Sequence, residues 1–201
     1  MRKNFWETGK VRLRAMEEGD IDLFINRRLS PDSIAEWYVD KVRFPGSEKN
    51  VRENTKDWLE DCSKDDKRIF VVDAKDPSGE TGPRWAGVLD VWSADRRSGV
   101  FRYGVNFEEE YRGKGLAQEA LILVLDYYFN ELNYQKASPF VYSYNPHSQA
   151  FHRKFGFRKE AVIPREVYSR GEYFDIVYFG MFKEEFNRLY SDRLWKPKKA
   201  P

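Results

Sequence analysis

A glycine-bearing loop in the middle of the chain joins a strand-like segment to a long amphipathic segment. The strand pattern runs from Gly99 to Phe107, and the helix pattern runs from Leu116 to Leu132. Apolar residues recur at three- and four-residue steps in the second segment, so it has one face to bury. A strand followed directly by such a helix predicts a domain in which helices cover a sheet. The repeating positions are Ala117, Ala120, Leu121, Val124 and Tyr128.

The loop itself has the composition of an anion site. The first turn of a helix has main-chain N–H groups with no partner inside the helix, and the helix dipole adds positive charge there. Gly113 and Gly115 bring no side chain that would keep an anion away from those amides. Arg112 and Lys114 add two cationic side chains. The segment therefore predicts a pyrophosphate-binding turn.

Two nucleotide-binding motifs fit this loop poorly. A phosphate loop of the Walker type needs Ser or Thr after its Lys, whereas Lys114 is followed by Gly115 and Leu116. A dinucleotide-binding fingerprint needs a third glycine at position 118, which is Gln118. Both nucleotide motifs are therefore disfavoured, and the loop by itself is a weak signal for a ligand, for which a packed turn is the alternative.

The rest of the chain alternates between strand and helix patterns. Pro139 lies in one predicted strand and indicates an irregular or edge position. Asn145, Pro146 and Gly156 suit the cap, first turn and end of a short helix. A mixed α/β class follows. Strands are predicted at 11–15, 68–74, 85–92, 99–107, 137–144, 162–168 and 172–182, and helices at 20–29, 47–61, 116–132, 146–155 and 183–194.

Composition limits the class of protein. A length of 201 residues predicts one domain, 1–201, with an N-terminal extension at 1–10 and a basic tail at 195–201. With a net charge of +2 we expect no nucleic-acid partner, and no apolar run is long enough to cross a membrane. Cys62 is the only cysteine, so a cytoplasmic location is expected. One cysteine and two histidines, His147 and His152, make a metal site improbable.

Two segments resemble the GNAT superfamily of acetyl-CoA-dependent N-acetyltransferases. Arg112-x-x-Gly115-x-Ala117 is similar to the Arg/Gln-x-x-Gly-x-Gly/Ala signature of that family. The segment from Asn145 to Phe157 resembles its later block, in which Asn begins a short helix that ends in Lys-x-Gly-Phe. The turn at 171–175 and the segment 182–186 resemble the corresponding segments in one branch of the family. That branch contains the ribosomal-protein N-terminal acetyltransferases and the spermidine acetyltransferases.

The resemblance implies a fold and a cofactor site. The fold is α/β with a central, mostly antiparallel twisted sheet, a splayed parallel strand pair and flanking helices. Acetyl-CoA, the co-substrate, would lie in the gap where the two parallel strands separate, called the splay below. One main-chain N–H, from Val105 or Phe107, would polarise its carbonyl. The implied cofactor-binding residues are Val105, Asn106, Phe107, Arg112, Gly113, Lys114, Gly115, Leu116, Ala117, Asn145, Ser148 and His152.

Catalytic residues are carried over from the same resemblance. Many relatives have a Tyr acid seven residues after the Asn, and His152 occupies that position here; an imidazolium could donate the proton. Ser148 and His152 are four apart and share one helical face. The base candidates are Glu108, with Glu109 and Glu110, and Tyr144, with Tyr142. Each Glu also suits a solvated turn.

The acceptor is expected to be an amine. A polyamine, an aminoglycoside-like amine and a protein N-terminus are the alternatives, and Arg102 stands where relatives often have an acid. Asp90 is a further possible substrate contact. The function expected is direct transfer of the acetyl group to a primary amine; a non-catalytic acyl-CoA binding or sensing domain is the alternative. A homodimer is possible.

Overall fold

A computed structural model describes residues 4–29, 47–61, 67–76, 78, 82–169 and 171–196. The expectations for Cys62, for the helix stop at Ser30 and Pro31, and for the tail beyond Lys196 lie outside these residues. The strands are β1 (Val11–Arg14), β2 (Arg68–Ala74), β3 (Arg84–Asp95), β4 (Val100–Phe107), β5 (Lys136–Ala137), β6 (Phe140–Tyr142), β7 (Arg158–Ser169) and β8 (Glu172–Phe182). The helices are α1 (Glu18–Leu29), α2 (Glu48–Asp61), α3 (Leu116–Asp126), α4 (Pro146–Phe155) and α5 (Lys183–Tyr190).

The described strands form one mixed sheet in the order β1–β2–β3–β4–β5–β8–β6, and β7 pairs with β8. β4 and β5 are parallel, and the other pairings are antiparallel. Helices flank this open sheet, so the predicted mixed fold with a parallel strand pair is confirmed.

The parallel pair splays because β5 is very short. Val100 aligns with Lys136 and Phe101 aligns with Ala137, and the described register of β4 with β5 ends there. The Ser138 N–H still donates to the Phe101 carbonyl at 2.8 Å, but Pro139 has no N–H to donate. The chain then turns away and forms β6, which pairs with β8 instead of β4. The single strand predicted for 137–144 is therefore two strands interrupted at an irregular proline.

The core lies between the sheet and the helices on one of its faces. Phe101 of β4, Phe179 of β8 and Leu121 of α3 are fully buried in one cluster. The Phe101 ring stacks on that of Tyr128, with centroids 4.5 Å apart. At roughly 25 cal/mol per Å² of buried apolar area, large rings such as these contribute more to stability than small side chains do.

Two predicted helices are shorter than their patterns. The pattern at 116–132 is α-helical as far as Asp126, and a π-helical turn follows at Tyr127–Glu131. The Leu132 N–H donates to the Tyr127 carbonyl at 3.0 Å, a five-residue step that keeps these side chains on the core with a wider turn. Helix α5 ends at Tyr190 rather than at Leu194.

Both ends of the described chain pack onto the domain. Trp6 stacks on Phe70 with centroids 5.5 Å apart, and Lys75 Nζ lies 2.6 Å from Glu7 Oε2. At the other end the Trp195 N–H donates to Asp126 Oδ2 at 2.9 Å. The described parts of the expected extension and tail are therefore attached to the sheet and to α3.

Candidate functional site

The glycine loop links the end of β4 to the start of α3. A short 3₁₀ turn, Glu109–Tyr111, follows β4, and α3 begins at Leu116 with Gly115 as its N-cap residue. Gly113 and Gly115 have φ values of 72° and 78°, in the left-handed region where side chains are disfavoured. No side chain caps the helix, so its first N–H groups are available to a ligand.

Three cations surround this loop. Arg112 Nε donates to the Phe107 carbonyl at 2.9 Å, which fixes the stem of the guanidinium beside the end of β4. Lys114 Nζ lies 5.7 Å from the centre of the Tyr111 ring. The third cation is Lys10, whose Nζ lies 3.8 Å from the position that a Cβ on Gly115 would take. Sequence reasoning missed Lys10, because it precedes β1, about a hundred residues before the loop, and no motif connects the two.

The edge of β4 that faces the splay carries main-chain polar groups. The Phe101 carbonyl points towards β5, where it accepts from Ser138, whereas the Glu108 N–H donates to Ala86 on the β3 side at 2.9 Å. A strand residue directs its N–H and C=O to one side, and successive residues alternate. The main-chain groups of Tyr103, Val105 and Phe107 are therefore directed into the splay.

Helix α4 borders the splay and is capped as predicted. The Asn145 side chain accepts the Ser148 N–H at 3.0 Å, Pro146 is in the first turn, and Gly156 ends the helix with φ of 109°. Ser148 and His152 share one face, with Ser148 Oγ 3.5 Å from His152 Nδ1. The predicted N-cap, helix start and helix end are confirmed.

The surroundings of His152 bear on its ionisation. Its ring is 3% exposed and lies between those of Tyr103 and Phe179. Burial lowers its pKa to about 4, and the hydrogen bond with the Ser148 carbonyl opposes this only in part. A pKa of about 4 favours a neutral imidazole at pH 7 over the imidazolium considered from the sequence.

The tautomer of His152 follows from its hydrogen bond. Nδ1 lies 2.7 Å from the Ser148 carbonyl oxygen, and a carbonyl can only accept, so Nδ1 carries the proton. Nε2 then has a lone pair and no hydrogen. Within the described residues, His152 Nε2 and the Tyr103 hydroxyl are both buried and have no hydrogen-bond partner. Such atoms are uncommon in folded proteins and are consistent with a ligand that completes the site.

The two predicted base candidates lie on different elements. Glu108 directly follows β4, and its main-chain N–H donates to the Ala86 carbonyl. Tyr144 follows β6, where its ring stacks on Tyr142 with centroids 5.4 Å apart and meets the edge of Phe174 at 4.7 Å. Both are partly buried. Their catalytic roles stay predictions.

The described residues contain neither a metal-ligand cluster nor a membrane-spanning helix. Across the described ranges, no three His, Cys, Asp or Glu side chains come together in a group that could hold a metal ion. In that part of the chain, no helix has both the length and the apolar character needed to cross a bilayer.

Comparisons with known proteins agree with this geometry. The chain matches the family model described as "Acetyltransferase (GNAT) domain" over residues 10–158. An SPbeta prophage-derived uncharacterized N-acetyltransferase of Bacillus subtilis (strain 168), YokL, is 35% identical over 187 residues, which are 92% of this chain and 97% of that protein. Spermidine N(1)-acetyltransferase of Escherichia coli (strain K12) is 29% identical over 119 residues, 59% of this chain and 60% of that enzyme.

A solved structure shows the same fold. The spermidine N-acetyltransferase from Vibrio cholerae, in complex with CoA and spermine, superposes with a TM-score of 0.72 at 21% identity, over 89% of this chain and 99% of that one. The family match covers most of the chain, including the strand, the glycine loop and α4. The protein therefore belongs to the GNAT family of acetyltransferases and is an acyltransferase.

Proposed function

We propose that this enzyme binds acetyl-CoA in the splay between β4 and β6 and transfers the acetyl group to a primary amine. The main observation is the uncapped start of α3, where Gly113 and Gly115 hold a left-handed turn beside three cations. Main-chain amides from Gly113 to Ala117 bind the pyrophosphate. Arg112, Lys114 and Lys10 add long-range attraction for the phosphates.

The edge of β4 orients the rest of the carrier. The main-chain groups of Val105 and Phe107 pair with the amides of the pantetheine arm in the manner of an added strand, and Asn106 lies between them. One of these N–H groups donates to the thioester oxygen, where negative charge develops during attack. Acetyl-CoA supplies an activated acyl group, so the protein contributes mainly positioning.

Helix α4 completes the cofactor site. Asn145 fixes the start of the helix, and Ser148 and His152 line the splay from one face. His152 Nε2 accepts a hydrogen bond from the bound carrier, since the neutral ring has no proton there to give. We propose this role in place of the acid. Glu108 and Tyr144 remain candidates for receiving a proton from the amine.

The acceptor classes named by relatives include polyamines. The Escherichia coli relative is named for spermidine, and the Vibrio cholerae structure contains spermine. We extend to this chain the coarser property, an amine acceptor. An aminoglycoside-like amine and a protein N-terminus belong to the same chemical class and are included in the tests below.

Self-association is a further part of the proposal. β7 is exposed along most of its length, and the β7–β8 hairpin presents Val162, Ile163, Tyr168 and Tyr173 to solvent. Apolar groups gathered on one hairpin favour contact with a second copy. A homodimer is expected, and light scattering of Ile163→Lys against the parent protein would detect its loss.

Calorimetry with CoA tests the cofactor site directly. Gly115→Asp places a carboxylate among the amides and should weaken CoA binding at least tenfold. Gly171→Asp is the matched control, because Gly171 also has a positive φ of 89° and lies in the distant β7–β8 turn. Equal CoA affinity in both variants, or no heat with the parent protein, would contradict the proposed site.

Thiol release with a panel of amines tests the reaction. The panel contains butylamine, spermidine, tobramycin and the dipeptide Ala-Gly, each with acetyl-CoA. We expect amine-dependent release of free thiol from at least one of them. CoA binding without release from any of the four would favour the acyl-CoA sensing function instead.

A further inference from the structure

A carboxyl group lies on the sheet face opposite the buried core. Leu89 and Val91 of β3 are core residues, so the alternation of the strand places Asp90 and Trp92 on the other face. Across the ladder, Asp90 aligns with Gly104 of β4. Asp90 therefore lies next to the strand whose far edge borders the splay.

Gly104 allows the carboxylate to lean over β4. A Cβ at this position would lie 2.9 Å from Asp90 Oδ1 and 3.1 Å from Trp92 Cζ3, which is too close for either group to stay in place. The missing side chain thus leaves room for Oδ1 over the β4 backbone at Gly104. A larger residue here would fill the space that the carboxylate occupies.

Aromatic rings continue this face across the splay. Trp92 meets Phe140 of β6 edge to face, with centroids 6.2 Å apart, and Phe140 lies 5.9 Å from Tyr178 of β8. Phe140 and Tyr178 align in the β6–β8 ladder, which fixes them on one side of the sheet. Asp90 therefore lies at one end of an aromatic wall, an environment that suits an organic cation.

The carboxyl has no counter-ion among the described side chains. No ion pair in the described part of the chain includes Asp90, and burial raises its pKa to about 6, opposed only by a bond to its own N–H. A partly buried carboxylate in such surroundings is stabilised when a cation arrives.

We propose that Asp90 binds the ammonium group of the acceptor and takes one of its protons before acetyl transfer. The inference rests on the proposed function. Asp90 takes the base role for which Glu108 and Tyr144 are the other candidates. It adds the acceptor end of the site, which neither motif of the family resemblance includes. The class of acceptor is a primary amine whose carbon chain lies on Trp92 and Phe140.

The step balances without any further reactant. The ammonium gives one proton to the Asp90 carboxylate and becomes a neutral amine. Its nitrogen then forms the bond to the thioester carbon, and the carbon–sulfur bond breaks with its electron pair on sulfur. The second nitrogen proton goes to the thiolate through solvent, and Asp90 releases its proton to water.

On this face the described residues include the ion-paired cluster of Arg14, Asp20 and Asp73, whereas the ladder positions next to Asp90 carry few charges. On β2, Ile69 aligns with Asp90 and does not titrate. On β4, Arg102 aligns with Trp92, one step along the ladder, and its guanidinium lies 5.6 Å from the centre of the Tyr178 ring. The ladder positions beside Asp90 on β2 and β4 thus hold no second acid, and we assign the expected pH effect between 5 and 7 to Asp90.

The test is the pH profile of kcat/KM for Asp90→Asn, measured by thiol release with the four amines. In the parent protein kcat/KM should fall as the pH drops through about 6, because the base becomes protonated. The variant should lose about a hundredfold at pH 7.5 and should lack this acidic limb. CoA affinity by calorimetry should stay within twofold.

Asp192→Asn is the matched control, since Asp192 is exposed beyond α5. A change of less than threefold in Asp90→Asn, with the acidic limb retained, overturns the proposal and leaves the proposed function standing. If the parent protein releases no thiol, the proposed function fails by itself. Calorimetry of the four amines on the CoA-loaded protein then decides the ammonium site: loss of binding in Asp90→Asn supports it, and unchanged binding overturns it.

Discussion

The imidazole of His152 lies nearly parallel to the phenol ring of Tyr103, with centroids 5.8 Å apart and an angle of 25° between the planes. One ring comes from α4 and the other from β4, so the contact fixes the helix against the strand that borders the splay. Each ring carries a buried polar atom with no hydrogen-bond partner among the described residues, His152 Nε2 and the Tyr103 hydroxyl. This pair has consequences for both stability and catalysis.

The first prediction concerns stability at low pH. Burial depresses the pKa of His152 from 6.5 to about 4, so the unfolded chain binds a proton more readily than the folded one. The stability that the neutral His152 side chain provides is fully present above pH 6.5. As the pH falls to about 4, the free energy of unfolding decreases by up to about 3 kcal/mol. Urea unfolding of His152→Phe between pH 4 and 7 should show a smaller slope than the parent protein. His147→Gln, at an exposed position of the same helix, should keep the parent slope.

The second prediction concerns the proton that the thiolate receives. Because neutral His152 has no hydrogen on Nε2, it should not act as the general acid. His152→Gln should therefore reduce kcat by less than tenfold, well short of the 10²–10⁴-fold that loss of such a group costs. Steady-state rates from pH 6 to 9 would measure this. A hundredfold loss, together with disappearance of a basic limb in the profile, would restore the acid role.

The third prediction concerns Lys10. Its ammonium lies beside Gly115, so it should attract the phosphates of the carrier although it is distant in sequence. Lys10→Gln should weaken CoA binding about three- to tenfold at low ionic strength and less in high salt, where charges are screened. Calorimetry at two salt concentrations provides the measurement. Lys49→Gln, on α2, is the matched control, and an equal loss there would argue against a local effect.

The fourth prediction concerns the choice of acceptor. Arg102 lies on the same face as Asp90, one step along the β3–β4 ladder, and its charge disfavours a second ammonium nearby. Arg102→Glu should therefore raise kcat/KM for spermidine about tenfold relative to butylamine. Arg97→Glu, in the exposed β3–β4 turn, should leave the ratio unchanged. An unchanged ratio in Arg102→Glu would show that Arg102 does not contact the acceptor.

The fifth prediction separates the structural role of Asn145 from its role at the cofactor. Its side chain accepts the Ser148 N–H and caps α4. Asn145→Ala should lower the free energy of unfolding by about 1 kcal/mol, whereas Asn145→Asp should preserve stability because a carboxylate also caps. Urea denaturation tests both variants. A greater loss in Asn145→Asp than in Asn145→Ala would contradict the capping role.

The sequence by itself determined the local structure and the family. Glycines at 113 and 115, an apolar stripe from Ala117 onwards and the Asn145–Pro146 start of α4 depend on neighbouring residues, because turns, caps and amphipathic periods are local properties. These positions were predicted from spacing, and the family resemblance that they carry was confirmed by the comparisons.

The tertiary structure decided which distant residues meet. Lys10 reaches Gly115, His152 is buried between Tyr103 and Phe179, and Asp90 leans over Gly104. No periodicity encodes these contacts, since they depend on strand order and on which face each residue presents. The charge of a titratable group depends on that burial, which is why the sequence left an imidazolium open at His152 whereas the fold favours a neutral ring.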